Sequence, residues 1–581
     1  MNTDDRIAAT AKRISLALGE IPADLLLKNT RLVNVLSGEI HDADIAVADG
    51  MIVGFGDYQA ARVLDCQGCH VCPGLIDGHI HIESTLLTPW EFAKAAAPRG
   101  TCAVVWDPHE IANVLGRDGI EAMLRLTQDS PLTFYFMASS CVPATTMETS
   151  GASITARDVA HLVTQYKGRV LGLAELMNYP GVLAKDPEVL AKLEACGCAL
   201  VDGHAPLLTG KALNAYVMSG ASTDHECTVP EEALEKMRKG MHILMREGSD
   251  EKNLKDLVAC LNRHNAQNVS LACDDREPMD LTRNGHMDHN VRMAIRLGVE
   301  PVRAVQMASI NTARHYGLRA RGAIAPGWRA DLVVLDSLED FSVWKAFLAG
   351  RDVAEITFAP NGEAPTGNTV HITAPDGVIT PQAFAVPMRP GARARCLGVE
   401  PGQIITGALE VIPREADGLA CADPERDLAK IAVIERHGRN GNVALGFVQG
   451  LDLARGALAG TVAHDSHNLI VAGVDDADMA LAANVLARCG GGYAVVAGGE
   501  VLAVLELPLA GLMSAKTLED VVRDQDALHA AYRAISRHGR TEARPFMAMS
   551  FLSLPVIPEL KITDKGLVDV RGFQPVDLWL D

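Results

Sequence analysis

Pro73-Gly74-Leu75-Ile76-Asp77-Gly78-His79-Ile80-His81-Ile82-Glu83-Ser84 decides how the rest of the chain is read. An apolar run ends in two histidines one residue apart. On a strand, residues i and i+2 share a face, so both imidazoles can converge on one point. Neutral imidazole binds zinc, iron and similar ions. A lone His-x-His pair is weak evidence, and its surroundings carry the reading further.

Outward from that stretch the pattern changes on each side. Before it, residues 24 to 65 read as short strands, with Asp49-Gly50 as a hairpin turn between two apolar runs. After it, strand-like runs alternate with helical patterns, the signature of βα units and a parallel sheet. The runs fall at 75–81, 102–106, 132–137, 170–175, 199–204, 221–225, 242–246 and 269–274. Eight units over this length are the dimensions of a (β/α)8 TIM barrel. A long helical region, 287–316, follows, and β character returns from Gly322 to Leu335. The expected fold is thus α/β: segment 1–73 begins a small β-sandwich, 74–320 forms the barrel, and 321–375 completes the sandwich. Residues 376–581 are then long enough for an additional C-terminal α+β domain.

Composition narrows the function. A formal net charge of −20 argues against binding a phosphate backbone, so no nucleic acid partner is expected. The apolar stretch 479–513 is interrupted by Arg488, three glycines and Glu500, and reads as buried structure with no membrane span. Thirteen cysteines without a framework and an acidic N-terminus without an apolar core fit a cytoplasmic protein. Cys66, Cys69 and Cys72 read as buried thiols.

Barrel active sites sit at the C-terminal ends of the strands. Reading those ends collects His79, His81, Glu175, His204, His225 and Asp274. Imidazole mixed with carboxylate suits zinc, iron or manganese. Six ligands exceed what one catalytic ion with an open position needs, whereas two divalent ions about 3.5–4 Å apart would use them all. Asp274 is placed to ligate and to act as general acid–base. A second acid is expected among Glu83, His109, Glu110 and Glu226. Asp275, next along the strand, is expected to point to the opposite face.

The stretch 73–81, the ligand order and the return at 322–331 resemble the amidohydrolase superfamily. Glu83-Ser84-Thr85, Trp106 to Val114, Ala174 to Asn178 and His464-Asp465-Ser466-His467-Asn468 are similar, further, to the bacterial adenine deaminase family, and this likeness spans essentially the whole chain. The resemblance implies hydrolysis of adenine to hypoxanthine and ammonia, with a manganese or iron centre, zinc being the alternative. Two other readings stand beside it: a cyclic-amide hydrolase on the same barrel, and a scaffold that has lost its chemistry. Cyclic-amide hydrolases of the superfamily bridge their metals with a carbamylated lysine, but here the fourth strand carries Glu175, and Lys167 lies before that strand. All six ligand positions hold ligand-capable side chains, which speaks against a scaffold. The purine needs apolar or aromatic walls, for which Trp90, Trp106, Met177 and Tyr179 are candidates. The motif at 464–468 is either functional, reaching the barrel mouth or binding a third metal, or a side-chain-stabilised turn. A homo-oligomer, specifically a dimer, is expected.

Overall fold

The computed structural model describes residues 3–197, 199–365, 367–400, 405–539 and 544–580. After a helix at Thr3–Ala17, the chain forms strands β1 (Ala23–Asn34), β2 (Glu39–Ala48), β3 (Met51–Phe55), β4 (Ala60–Asp65) and β5 (His70–Pro73). The Asp49-Gly50 turn joins β2 to β3. Both residues have positive φ, 50° and 74°, as the tightest hairpin turn demands.

The chain then passes directly into the barrel: β6 (Leu75–His81), β7 (Thr101–Trp106), β8 (Thr133–Ala138), β9 (Val170–Leu176), β10 (Leu200–Gly203), β11 (Thr223–Asp224), β12 (His242–Arg246) and β13 (Val269–Ala272), which continues as β14 (Asp274–Asp275). Neighbours from β6 to β10 and from β11 to β13 pair in parallel. A bridge between Val201 and Ala221 links the two arcs, and β14 closes the ring against β6. Every residue of β6, β7 and β12 is buried, which is why these strands read as apolar runs without alternation. The region 287–316 breaks into three helices, Met287–Arg296, Pro301–Met307 and Ile310–His315. Gly298, at φ 94°, ends the first, and Glu300 caps the second ahead of Pro301.

Strands β15 (Leu332–Ser337), β16 (Ser342–Leu348) and β17 (Arg351–Asp352) rejoin the N-terminal unit. β15 runs antiparallel to β5, so both flanks of the barrel segment share one eight-stranded sheet around a core that includes Leu27, Leu32, Ile45, Val71 and Val334. At the hand-over, a Cβ on Gly74 would lie 2.8 Å from that of Cys102 and 2.9 Å from that of Asp331, so only glycine fits.

A nine-stranded sheet dominates the C-terminal part. Alternation divides its faces. Ala457, Ala459, Val471 and Ala494 pack under the helix Asp476–Cys489, while Leu458, Ile470, Ala472 and Val495 belong to the core shared with the barrel. Arg544 ties the two parts by ion pairs to Glu277 at 2.9 Å and Asp280 at 2.7 Å. Among the described residues no helix is long and apolar enough to cross a membrane.

Gly172 sets the spacing of β9 and β10, since a Cβ there would sit 2.0 Å from the carbonyl oxygen of Leu200. Gly172→Ala should therefore force the two strands apart and cost about 1–3 kcal/mol, the usual range for overpacking. A lowered thermal midpoint is the expected result, and an unchanged one would show that the strands can give way there.

Candidate active site and metal centre

Glu175 stands at the end of β9, buried, with its two oxygens facing two different pairs of histidines. Oε1 lies 3.1 Å from His79 Nε2 and 3.0 Å from His81 Nε2. Oε2 lies 2.7 Å from His204 Nδ1 and 3.4 Å from His225 Nε2. The period-two geometry of β6 brings the Nε2 atoms of His79 and His81 within 3.2 Å of each other. His81 Nδ1 is 3.0 Å from the Asp107 carbonyl, which fixes the proton there and leaves Nε2 as the ligating nitrogen. Asp274 Oδ1 closes the group at 3.1 Å from His81 Nε2 and 3.6 Å from His79 Nε2.

This constellation calls for positive charge at its centre. Burial alone would lower the His79 imidazole, but the Glu175 and Asp274 carboxylates raise it to about 10. Burial alone would raise Glu175, yet His225 and His79 hold it well below the usual carboxylate range. Glu175 Oε1 and both ring nitrogens of His225 are buried without a hydrogen-bond partner. A cation among these lone pairs would satisfy atoms that no other described residue satisfies. The donor set, four imidazoles and two carboxylates, fits transition metals.

Asp274 departs from extended backbone, with φ 58°. Strand alternation fails there, and Asp275, expected on the opposite face, lines the same cavity. The Ser84 hydroxyl donates to Asp275 Oδ1. The other oxygen of Asp274, Oδ2, accepts from Arg246 at 2.7 Å, and the same guanidinium grips both oxygens of Glu226. Arg246 ends the run 242–246, and nothing in the sequence around it marks this charge-balancing role.

The proposed second acids separate in space. Glu83 is buried outside the cavity, accepting from Trp106 Nε1 at 2.8 Å and from the Ile111 amide at 3.1 Å. Its place in the 3-10 turn Ile82–Thr85 carries it away from the face that His81 presents, so it braces Trp106. Glu226 is committed to Arg246. Glu110 is committed to the C-terminal motif: His464 Nδ1 lies 2.8 Å from Oε1, and His467 Nε2 meets Oε2. The Ala463 amide donates to His467 Nδ1 at 3.2 Å, so the His467 proton sits on Nε2 and points at Glu110. His109 is left. Asp107 Oδ2 holds its Nδ1 at 3.0 Å, and its ring lines the cavity.

His464 and Asp465 also reach the cavity, about 40 Å³, whose apolar lining is Met177, Phe551, Leu554 and Ile557. Three of those four come from the C-terminal part and carried no sequence signal of this role. Trp106 is core, packed on Phe136 with ring centroids 4.9 Å apart. Trp90 and Tyr179 are only partly buried and pack against the core.

The chain matches the amidohydrolase family over residues 70–369 and the adenine deaminase C-terminal domain over residues 403–574. It is 56% identical to an adenine deaminase of Oleidesulfovibrio alaskensis over 97% of this chain and 98% of that protein. An adenine deaminase of Desulfatibacillum aliphaticivorans is 46% identical over 99% and 100% of the two chains. One from Methanothrix thermoacetophila is 45% identical over the full length of both.

Replacing His464 and His467 together with alanine strips Glu110 of two partners in a buried setting. The cost should be about 3–5 kcal/mol, as for other buried ion pairs that lose one side. Adding Glu110→Gln to that variant should recover part of it in denaturant unfolding. A triple variant no more stable than the double one would mean that Glu110 is not held by charge.

Proposed function

The chain belongs to the adenine deaminase branch of the amidohydrolase family, and we propose from this that the cluster at its barrel mouth hydrolyses adenine to hypoxanthine and ammonia. The observation that carries the reading is Glu175, whose two oxygens are shared between His79 with His81 and His204 with His225. A carboxylate so placed would help hold two ions without needing carbon dioxide. Lys167, the lysine nearest in sequence, is exposed ahead of β9, which weighs against a cyclic-amide hydrolase.

Two divalent ions would be held by His79, His81, Asp274 and Glu175 on one side and by Glu175, His204 and His225 on the other. Manganese or iron is our assignment, with zinc as the alternative. When bound, such ions act as Lewis acids and make hydroxide available near neutral pH. The chain's own residues do the rest. Asp274, fixed by Arg246 through Oδ2, takes the proton of the attacking water on Oδ1 and returns it to the departing amine. His109 protonates purine N1. Burial would lower its imidazole, but Asp107 and Glu110 hold it well above its ordinary value, so the proton is present. The apolar lining excludes water from the ring. Free thiols at all twelve described cysteines fit a reducing compartment, and we assign the enzyme to the cytoplasm.

Metal analysis of the purified protein should find about two transition-metal ions per chain, the count of a two-metal site, and His79→Ala or His204→Ala should lower both metal and activity. A fully active protein with one ion would remove the bridging role of Glu175. Asp274→Asn keeps the shape but removes the base, so kcat should fall by about 10²–10⁴-fold. Asp275→Asn should cost less, and the reverse order would move the proton shuttle to Asp275. Added bicarbonate should leave the rate unchanged. Activation by it, with hydantoin turned over in preference to adenine, would favour the cyclic-amide reading.

A further inference from the structure

Glu251 follows β12 in a loop closed by the Gly248 amide on the Glu251 carbonyl at 3.0 Å. Its side chain lines the catalytic cavity and is 7% exposed. Both carboxyl oxygens are buried without a hydrogen-bond partner. Every other glutamate on the cavity wall is engaged: Glu110 by His464 and His467, Glu175 by the histidine cluster, Glu226 by Arg246. A buried carboxyl with two empty positions is costly unless something fills them.

Resting on the deaminase reading, we propose that Glu251 binds the purine ring by pairing, as a neutral carboxylic acid, with the N3 and N9–H edge of adenine. A carboxylic acid presents an O–H donor beside a carbonyl acceptor. Adenine offers the matching acceptor and donor side by side at N3 and N9–H, and also on the edges that carry the 6-amino group. Those latter edges flank C6, which must face the histidine–carboxylate cluster, so the remote edge is the one free to meet a group outside that cluster. Burial, followed by the nearby Asp275 carboxylate, pushes Glu251 well above the usual range, consistent with the protonated form. The pairing fixes the ring in its plane and leaves C6 toward Glu175 and Asp274. It also gives the free base a contact that a 9-substituted purine lacks, since substitution removes the N9 proton.

The test uses full-length metal-loaded protein with adenine and 3-deazaadenine, comparing wild type, Glu251→Gln and Glu251→Ala. The amide of glutamine keeps one donor and one acceptor, so Glu251→Gln should hold KM for adenine within a few-fold. Glu251→Ala should raise it by about 10- to 100-fold, the equivalent of one or two hydrogen bonds, with metal content unchanged. Wild type should disfavour 3-deazaadenine in KM, and Glu251→Ala should lose most of that preference. An unchanged preference for adenine in Glu251→Ala, or a KM for Glu251→Gln as high as that of the alanine variant, would overturn the pairing. Inactivity of the wild type itself on adenine would instead sink the deaminase reading on which the pairing rests.

Discussion

An ionised carboxylate in a protein interior must be met by positive charge, and Glu175 meets it twice, once through each oxygen. The requirement propagates outward. Four imidazoles turned toward one glutamate need Asp274 beside them, and Asp274 next to Glu226 needs Arg246. The barrel exists in this form because five of its strands end at one place and can deliver these groups from positions that are distant in sequence. No helix or hairpin could assemble them locally. The same balance sets the chemistry, because a cluster short of positive charge is one that retains divalent ions.

The C-terminal part belongs to this electrostatic system as much as the barrel does. Glu110 opens a barrel helix, yet its proton donors arrive from a loop 357 residues further on. His437 Nε2 donates to the Ser466 carbonyl and Arg436 donates to the His467 carbonyl, so the histidine loop is itself braced from behind by its own sheet. Most of the apolar lining of the cavity comes from the same direction. Catalysis on a flat heterocycle needs polar and dry contacts, and here both parts of the chain supply each: Met177 from the barrel joins Phe551, Leu554 and Ile557, and His464 and Asp465 join the barrel's charged groups.

The strands of the barrel were legible because parallel strands buried on both faces read as unbroken apolar runs, and because the ligands sit at their ends. Five strand ends followed from that logic, and the Asp49-Gly50 hairpin from its turn residues. Asp275 was misread for a physical reason: alternation presupposes extended backbone, and Asp274 at φ 58° breaks it. Glu83 looked like an acid near the histidines, but the turn of 3-10 helix after His81 directs it to Trp106. The wall residues Phe551, Leu554 and Ile557 are ordinary apolar side chains, and nothing local distinguishes a residue that faces a ligand from one that faces a core. The N-terminal helix Thr3–Ala17 was passed over because its exposed, charged sequence buries only Leu16 and so carries no strong periodic signal. Gly298 and Pro301 mark the first division of 287–316 in the sequence itself.

Pairing of β5 with β15 means that the barrel is inserted between neighbouring strands of another sheet. During synthesis the N-terminal strands leave the ribosome first, with the edge of β5 open until the whole barrel segment has been made. At ~5–20 residues per second that interval is on the order of tens of seconds. An unpaired apolar edge invites pairing with other nascent chains over that time. Residue order along the gene therefore leaves this eight-stranded sheet open while the barrel segment is made, and the barrel must fold while its scaffold is still half built.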